Sequence, residues 1–265
     1  MSDVLAGCYV ISLRPSGQHA SMRRAAGRYG AHVLALSPWR LRMHVDAAAR
    51  AQLAAAVDCE RVLFTSPAAV QAAAALQPLR ARDGQQWFAV GTATARALRR
   101  AGVEHVVAPP RMDSEGVLSL AALADPVGRV GLVTAPGGRD LVRAQLESRG
   151  TQVVRAEVYA REPIALSPRA VARLALLDAP RWLALSSGAA LECALPQLPA
   201  AARARLLDSR VVASSDRLAR LAHAHGFADV ALAAGPRPRD LLAAAAADAS
   251  ASMRRGPSAA RSDVR

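Results

Sequence analysis

One pattern occurs twice along this chain, and the duplication constrains the fold more than any other feature. The segment "SLRPSGQHASMRRAAGRYGAHV" from Ser12 resembles "TAPGGRDLVRAQLESRGTQVV" from Thr134. Pro15 aligns with Pro136 and Gly17 with Gly138, each 121 positions apart, and Gly30 aligns with Gly150 with a slip of one. At the same offset "VLFTSPAAV" from Val62 resembles "LALSSGAAL" from Leu183, which sets Thr65-Ser66 against Ser186-Ser187. A looser third pair is "FAVGTATARALRRAGVEHV" from Phe88 and "VVASSDRLARLAHAHGFADV" from Val211. Three matches in one order at a nearly constant offset describe a duplicated chain.

Each matched segment has the same local grammar. A short run rich in Val, Leu and Ile ends in a small polar turn, and a helical pattern then stops near Gly. Strand–helix alternation of this kind specifies parallel sheets flanked by helices. The length of 265 residues accommodates two lobes of flavodoxin-like or Rossmann-like size. Open α/β sheets bind ligands beyond the carboxyl ends of their strands. The turns there are Arg14-Pro15-Ser16-Gly17, Thr65-Ser66, Gly91-Thr92, Pro136-Gly137-Gly138, Ser186-Ser187 and Ser214-Ser215.

Charge narrows the ligand. The chain has 34 basic and 21 acidic residues, net +13, and every basic residue is arginine. Codon bias toward Arg and Ala explains much of this, yet such a surface still attracts polyanions. Arginine also offers a planar fork to carboxylates. Arg139 falls in a first helical turn, where the helix macrodipole disfavours a cation unless an anion accompanies it. Arg14 lies beside the equivalent turn.

Other classes lose support. Three dispersed cysteines without a CxxC pair argue against a disulfide framework or a zinc site. No G-x-G-x-x-G, Walker A, H-E-x-x-H or G-x-S-x-G is present. No apolar run reaches membrane-spanning length, and the N-terminus lacks a basic segment ahead of its apolar stretch, so a cytoplasmic location is expected. From Ser250 apolar periodicity gives way to Ser, Arg, Gly and Pro, and residues 249–265 read as a disordered basic tail.

Each polar turn also has a purely structural explanation. Ser66 before Pro67 suits an N-cap with proline at the first helical position, and Ser186-Ser187 and Ser214-Ser215 suit caps as well. Thr94 suits a hydroxyl in a first helical turn. Tyr159 in "EVYAR" suits an amphipathic strand-end tyrosine with a wet hydroxyl.

Taken in order, "LRPSG", "FTSPAAV", "AVGTATARAL", "SEGVL", "VTAPGGRDL", "EVYAR", "SSGAAL" and "VVASSDRLA" resemble the uroporphyrinogen-III synthase family over roughly residues 8 to 245. The resemblance implies two α/β lobes joined by a two-stranded linker, one inserted in the other. Residues 1–38 with 165–248 would form the first lobe and 42–158 the second. It implies cyclisation of hydroxymethylbilane, a linear tetrapyrrole polycarboxylate, to uroporphyrinogen III without metal or organic cofactor. It places Tyr159 at the position that assists hydroxyl departure, and Ser66, Thr94 and Ser186, with neighbouring Ser187, in the substrate cleft. Ser215 is a looser match, because "ASSDR" departs from a Thr-rich turn found in the family. Gly137 and Gly138 would offer backbone N–H groups, and Arg14 and Arg139 side-chain forks, to substrate carboxylates. The protein is expected to be a monomer with no nucleic acid or membrane partner, in transient contact with the enzyme that supplies its substrate. Two other classes remain open from the sequence: a non-catalytic bilobed binder of a small polyanion, and a nucleic-acid-binding protein suggested only by the charge.

Overall fold

The structure is a computed structural model and describes residues 3–111, 114–124, 128–137 and 140–255. The chain forms two compact units, one from the described residues of Met1–Arg40 and Pro163–Arg265, the other from Leu41–Glu162.

The first unit contains β1 (Tyr9–Ser12), α1 (Ala20–Gly27) and β2 (His32–Ala35). The chain leaves it through β3 (Trp39–Met43). The second unit then runs α2 (Ala47–Val57), β4 (Arg61–Phe64), α3 (Pro67–Leu76), β5 (Gln86–Ala89), α4 (Thr92–Arg100) and β6 (Val106–Val107). It continues through α5 (Ser114–Leu118), α6 (Ala121–Ala124), β7 (Arg129–Thr134), α7 (Asp140–Ser148) and β8 (Gln152–Glu157). The return strand is β9 (Tyr159–Pro163), which pairs with β3 in a two-stranded sheet. The first unit is completed by α8 (Pro168–Ala175), β10 (Arg181–Leu185), α9 (Gly188–Ala194), α10 (Ala200–Leu207), β11 (Arg210–Ala213), α11 (Asp216–Ala224), β12 (Val230–Leu232) and α12 (Pro238–Arg255).

The two five-stranded sheets have the orders β12-β11-β10-β1-β2 and β6-β5-β4-β7-β8, and the pairings within both are parallel. Numbered within its own unit, the first follows the flavodoxin-like order and the second opens in the Rossmann-like order. The sequence repeat explains the likeness. It sets β1 against β7, β4 against β10 and β5 against β11, and these pairs occupy matching places in the two lists. Each sheet therefore takes two adjacent strands from one copy of the repeat and three from the other.

Both faces of each sheet are covered, so the strands read as continuous apolar runs rather than alternating ones. In the second unit Val62, Phe64 and Trp87 face one core while Leu63, Phe88 and Leu132 face another. The Phe64 and Trp87 rings stack at 5.5 Å. In the first unit Ile11, Leu183 and Val211 face one core, and Val10, Trp182 and Val212 the other.

The aligned glycines end helices. Gly30 and Gly150 have φ of +76° and +82°, a left-handed conformation that a Cβ would disfavour. After each, the next residue's N–H returns to a carbonyl of the last helical turn, Ala31 to Ala26 and Thr151 to Leu146, both at 3.1 Å. The same bond joins Val103 to Leu98 and Phe227 to Ala222.

Helix α12 corrects the reading of the C-terminus. Residues 249–255, read from the sequence as tail, belong to this helix. The alanine-rich run keeps high helix propensity, and Leu241, Leu242, Ala245, Ala246 and Ala249 bury a continuous face in the first unit's core. Asp248 accepts a bond from Trp182 Nε1 at 2.9 Å and pairs with Arg210 at 3.0 Å. Residues 256–265 lie outside the described residues. No described helix is long and apolar enough to cross a membrane.

Candidate functional site

In each sheet the strand order reverses direction once, between β4 and β7 in one unit and between β10 and β1 in the other. The crevice at such a reversal, beyond the carboxyl ends of the strands, is where open α/β sheets bind ligands. The described site residues read from the sequence lie in the turns after those strands or their neighbours, except Tyr159, which opens β9.

In the second unit β4 runs into Thr65 and Ser66, and Pro67 begins α3. Ser66 is extended, and its Oγ accepts the Ala69 N–H at 3.1 Å, so it caps the helix as the Ser-Pro sequence anticipates. The same oxygen lies 3.0 Å from the Tyr159 hydroxyl. Tyr159 is only 3% exposed, and its ring belongs to the unit's core. Burial of the ring brings the polar end against Ser66, so the hydroxyl has a protein partner where the sequence suggested water alone.

Beneath this pair is a hydroxyl contact that sequence reasoning missed. Thr65 Oγ1 donates to Thr134 Oγ1 at 3.0 Å, linking the ends of adjacent strands β4 and β7. Thr134 is fully buried. A threonine closing an apolar strand is the signal that could have identified it. Arg155 on β8 adds a brace, donating from Nη2 to the Ala135 carbonyl at 3.2 Å. Glu157 faces the Arg155 guanidinium at 3.0 Å. The turn that follows β7 contains Gly137, exposed and left-handed at φ +64°. Gly138 and Arg139 lie outside the described residues. Thr94 is buried in the first turn of α4, directly after the next strand, β5.

In the first unit Ser187 caps α9, accepting the Ala190 N–H at 3.3 Å, while Ser186 is half-buried at the end of β10. Ser215 occupies the cap position of α11 but makes no side-chain capping bond, which leaves its exposed hydroxyl outside the helix's own bonding. The neighbouring turn after β1 is tightly organised. Its Gly17 is left-handed at φ +78°. Gln18 N–H bonds Pro15 O at 2.9 Å, and Ser16 N–H bonds Trp39 O at 2.8 Å. Those two N–H groups are therefore committed within the protein.

Arg14 in that turn is half-buried and donates from Nε to the Gln18 carbonyl at 3.0 Å. Its burial lowers the guanidinium pKa, and no carboxylate among the described residues pairs with it. Beside it His19 is 3% exposed, with Nδ1 3.0 Å from Ser12 Oγ and Nε2 2.7 Å from Ser37 Oγ. Burial, helped by the charges of Arg23 and Arg14, pushes the His19 imidazole down to about 4. Neither histidine nor serines were read as site residues; a histidine at a helix N-cap, where Ser, Thr or Asp is usual, was the available signal. The first unit thus presents an arginine with no carboxylate partner among the described residues, and the second a tyrosine hydroxyl held against a serine. Among the described residues no cluster of His, Cys, Asp and Glu is placed to hold a metal ion.

Comparison with known proteins agrees with this layout. A family model described as "Uroporphyrinogen-III synthase HemD" matches residues 20–243. A curated relative, the uroporphyrinogen-III synthase of Escherichia coli (strain K12), is 31% identical over 157 residues, 56% of this chain and 61% of that protein. The chain thus aligns with somewhat under two thirds of that relative's length. Among solved structures, a mutant uroporphyrinogen III synthase from the extreme thermophile Thermus thermophilus superposes with a TM-score of 0.59. It is 19% identical, with 92% of this chain and 99% of the other covered. Uroporphyrinogen-III synthetase from Helicobacter pylori gives a TM-score of 0.56 at 14% identity, covering 90% and 98%. These two establish likeness of fold. The family model spans most of the sequence, and the chain belongs to the uroporphyrinogen-III synthase family.

Proposed function

We propose that this protein is a uroporphyrinogen-III synthase, a cyclising hydro-lyase that converts hydroxymethylbilane to uroporphyrinogen III with inversion of ring D. The observation that carries the reading, beyond family membership, is the hydroxyl of the buried Tyr159, held 3.0 Å from Ser66 at the carboxyl edge of β4.

The reaction begins when the terminal C–O bond of the substrate breaks. The oxygen leaves with the bonding pair and a proton as water, and the adjacent pyrrole nitrogen supplies the electrons that form a cationic azafulvene. The substituted carbon of ring D attacks this cation to give a spiro intermediate. A neighbouring bridge bond then cleaves, regenerating an azafulvene that closes at the other position, and loss of a proton restores the pyrrole. The protein must assist departure of the hydroxyl and hold a flexible chain in a curled pose.

Tyr159 serves the first need. One lone pair of Ser66 Oγ is taken by the Ala69 N–H. When Ser66 donates its proton to the tyrosine oxygen, the Tyr159 O–H is free to donate to the departing hydroxyl. A phenol has too high a pKa for full proton transfer in the ground state, but hydrogen bonding to developing hydroxide is strongest in the transition state.

The second need falls to anion contacts. Every ring of the substrate bears acetate and propionate carboxylates. Arg14, Arg139 and the turns at Gly137-Gly138, Ser66, Thr94, Ser186-Ser187 and Ser215 would receive them. Charge-assisted hydrogen bonds contribute about 1.5–3 kcal/mol each, so a few suffice to fix the pose. The enzyme works as a cytoplasmic monomer and takes its substrate from the preceding enzyme in transient contact.

Product isomer analysis tests the reading. With the preceding enzyme supplying hydroxymethylbilane, the type III isomer is expected. Accumulation of type I alone, the product of spontaneous closure, would instead identify a non-catalytic polyanion binder.

A further inference from the structure

His19 has a geometry that the proposed chemistry does not yet use. It is a buried imidazole with both nitrogens engaged, suspended between Ser12 at the end of β1 and Ser37 just beyond β2. Since β1 and β2 are neighbours in the sheet, the contact ties two adjacent strand ends. His19 is also the cap residue of α1, yet its side chain makes no capping bond to that helix. The helix thus forgoes the usual cap in favour of an inward anchor.

What the anchor holds is the turn that contains Arg14. The turn starts at Ser12 and ends at His19, so the Ser12–His19 bond closes it across its base. The carbonyl that receives Arg14 Nε at 3.0 Å belongs to the peptide bond joining Gln18 to His19. Fixing the imidazole fixes that peptide plane and, through it, the direction of the guanidinium. The terminal nitrogens of Arg14 have no hydrogen-bond partner among the described residues and remain available to a ligand.

A neutral imidazole suits this role. It donates from one nitrogen and accepts at the other, matching one serine hydroxyl on each side. A protonated ring would donate from both nitrogens and add a third positive charge beside Arg14 and Arg23.

We infer that His19, clamped between Ser12 and Ser37, is a positioning residue that aims Arg14 at a carboxylate of the tetrapyrrole substrate. This rests on the proposed synthase function and on Arg14 as a carboxylate contact.

The test is a double-mutant cycle on full-length protein, read as KM and kcat for hydroxymethylbilane. Arg14→Ala is expected to raise KM about tenfold or more, the loss of one charge-assisted contact. His19→Leu should raise KM to a similar extent with kcat changed less than about twofold, while His19→Gln, which keeps part of the bonding, recovers most of the affinity. The double variant Arg14→Ala/His19→Leu should bind no worse than Arg14→Ala alone. If His19→Leu does not fold, Ser37→Ala, which removes only the Nε2 partner, takes its place in the same cycle. An unchanged KM in Arg14→Ala would refute the carboxylate contact itself. A raised KM in Arg14→Ala with an unchanged KM in the His19 or Ser37 variant, or effects that simply multiply in the double variant, would refute the positioning role while leaving Arg14 in place.

Discussion

The hydroxyls of Tyr159 and Ser66 stand 3.0 Å apart although 93 residues separate them in sequence. Tyr159 opens the strand by which the chain returns to the first unit, whereas Ser66 caps the helix after β4. Tyr159→Phe keeps the ring and its core contacts and removes only the hydroxyl. Turnover to the type III isomer is expected to fall about a hundredfold, with stability changed by about 1 kcal/mol or less. Near-normal turnover would remove Tyr159 from the mechanism.

Ser66→Ala removes two bonds at once, the cap to Ala69 and the contact with Tyr159. It should cost about 1 kcal/mol of stability and lower kcat more than it raises KM. Ser66→Thr retains an oxygen at the cap position and should restore the stability. A variant in which stability falls but kcat does not would reduce Ser66 to a helix cap.

His19 gives the fold a pH dependence whose sign follows from its environment. Its folded pKa of about 4 lies below the ordinary 6.5, because burial and the facing charges of Arg23 and Arg14 oppose protonation. The neutral form therefore favours the folded state. Its contribution is fully present above about pH 6.5 and is lost as pH falls toward 4, by roughly 2–3 kcal/mol. Urea titrations across this range should show a stability slope in the wild type that is reduced in His19→Gln. Equal slopes would show that other groups dominate.

A backbone contact in the second unit leaves no room for a side chain at Gly131 on β7. A Cβ there would stand 1.9 Å from the Ala56 carbonyl oxygen at the end of α2. Gly131→Ala must push the helix off the sheet, and a loss of about 3 kcal/mol or more is expected. Thermal denaturation would show it, and an unchanged melting temperature would contradict the packing.

The last helix is anchored by Asp248, which receives Trp182 Nε1 and pairs with Arg210. Asp248→Ala should cost about 2 kcal/mol and reduce helical circular dichroism through fraying of residues 249–255. Loss of stability without loss of helicity would show that the apolar face alone holds the helix.

The sheets and their carboxyl-edge turns were legible because parallel α/β units mark their ends with small polar residues and glycine. The duplication was legible for the same reason. The left-handed backbone of Gly137 was not, since the alignment pairs Gly17 with its neighbour and a glycine at either place permits it. The tail boundary was misplaced because serine and arginine in the final turns hid an alanine face that packs. Tyr159 was singled out from the sequence, but its partner lies 93 residues away, and no local pattern encodes such a pairing. The same holds for His19 and Ser37, which meet only because β1 and β2 are neighbours. Arg139, read from the sequence as a cation in a first helical turn, lies outside the described residues, and its carboxylate contact is a proposal.

The division of each sheet between the two copies of the repeat has a consequence for synthesis on the ribosome. The second unit is contiguous, and its five-stranded sheet has all its described strands once β8 has emerged. In the first unit β1 and β2 are made before the inserted unit, yet β1 lies between β2 and β10 and must wait for β10, which is made after it. Until β10 emerges the nascent chain therefore carries an apolar strand with one edge unfilled, the kind of segment that aggregates or engages chaperones. Refolding should accordingly proceed in two steps, the inserted unit first and the enclosing one after it, with the slower step limited by long-range closure around β1.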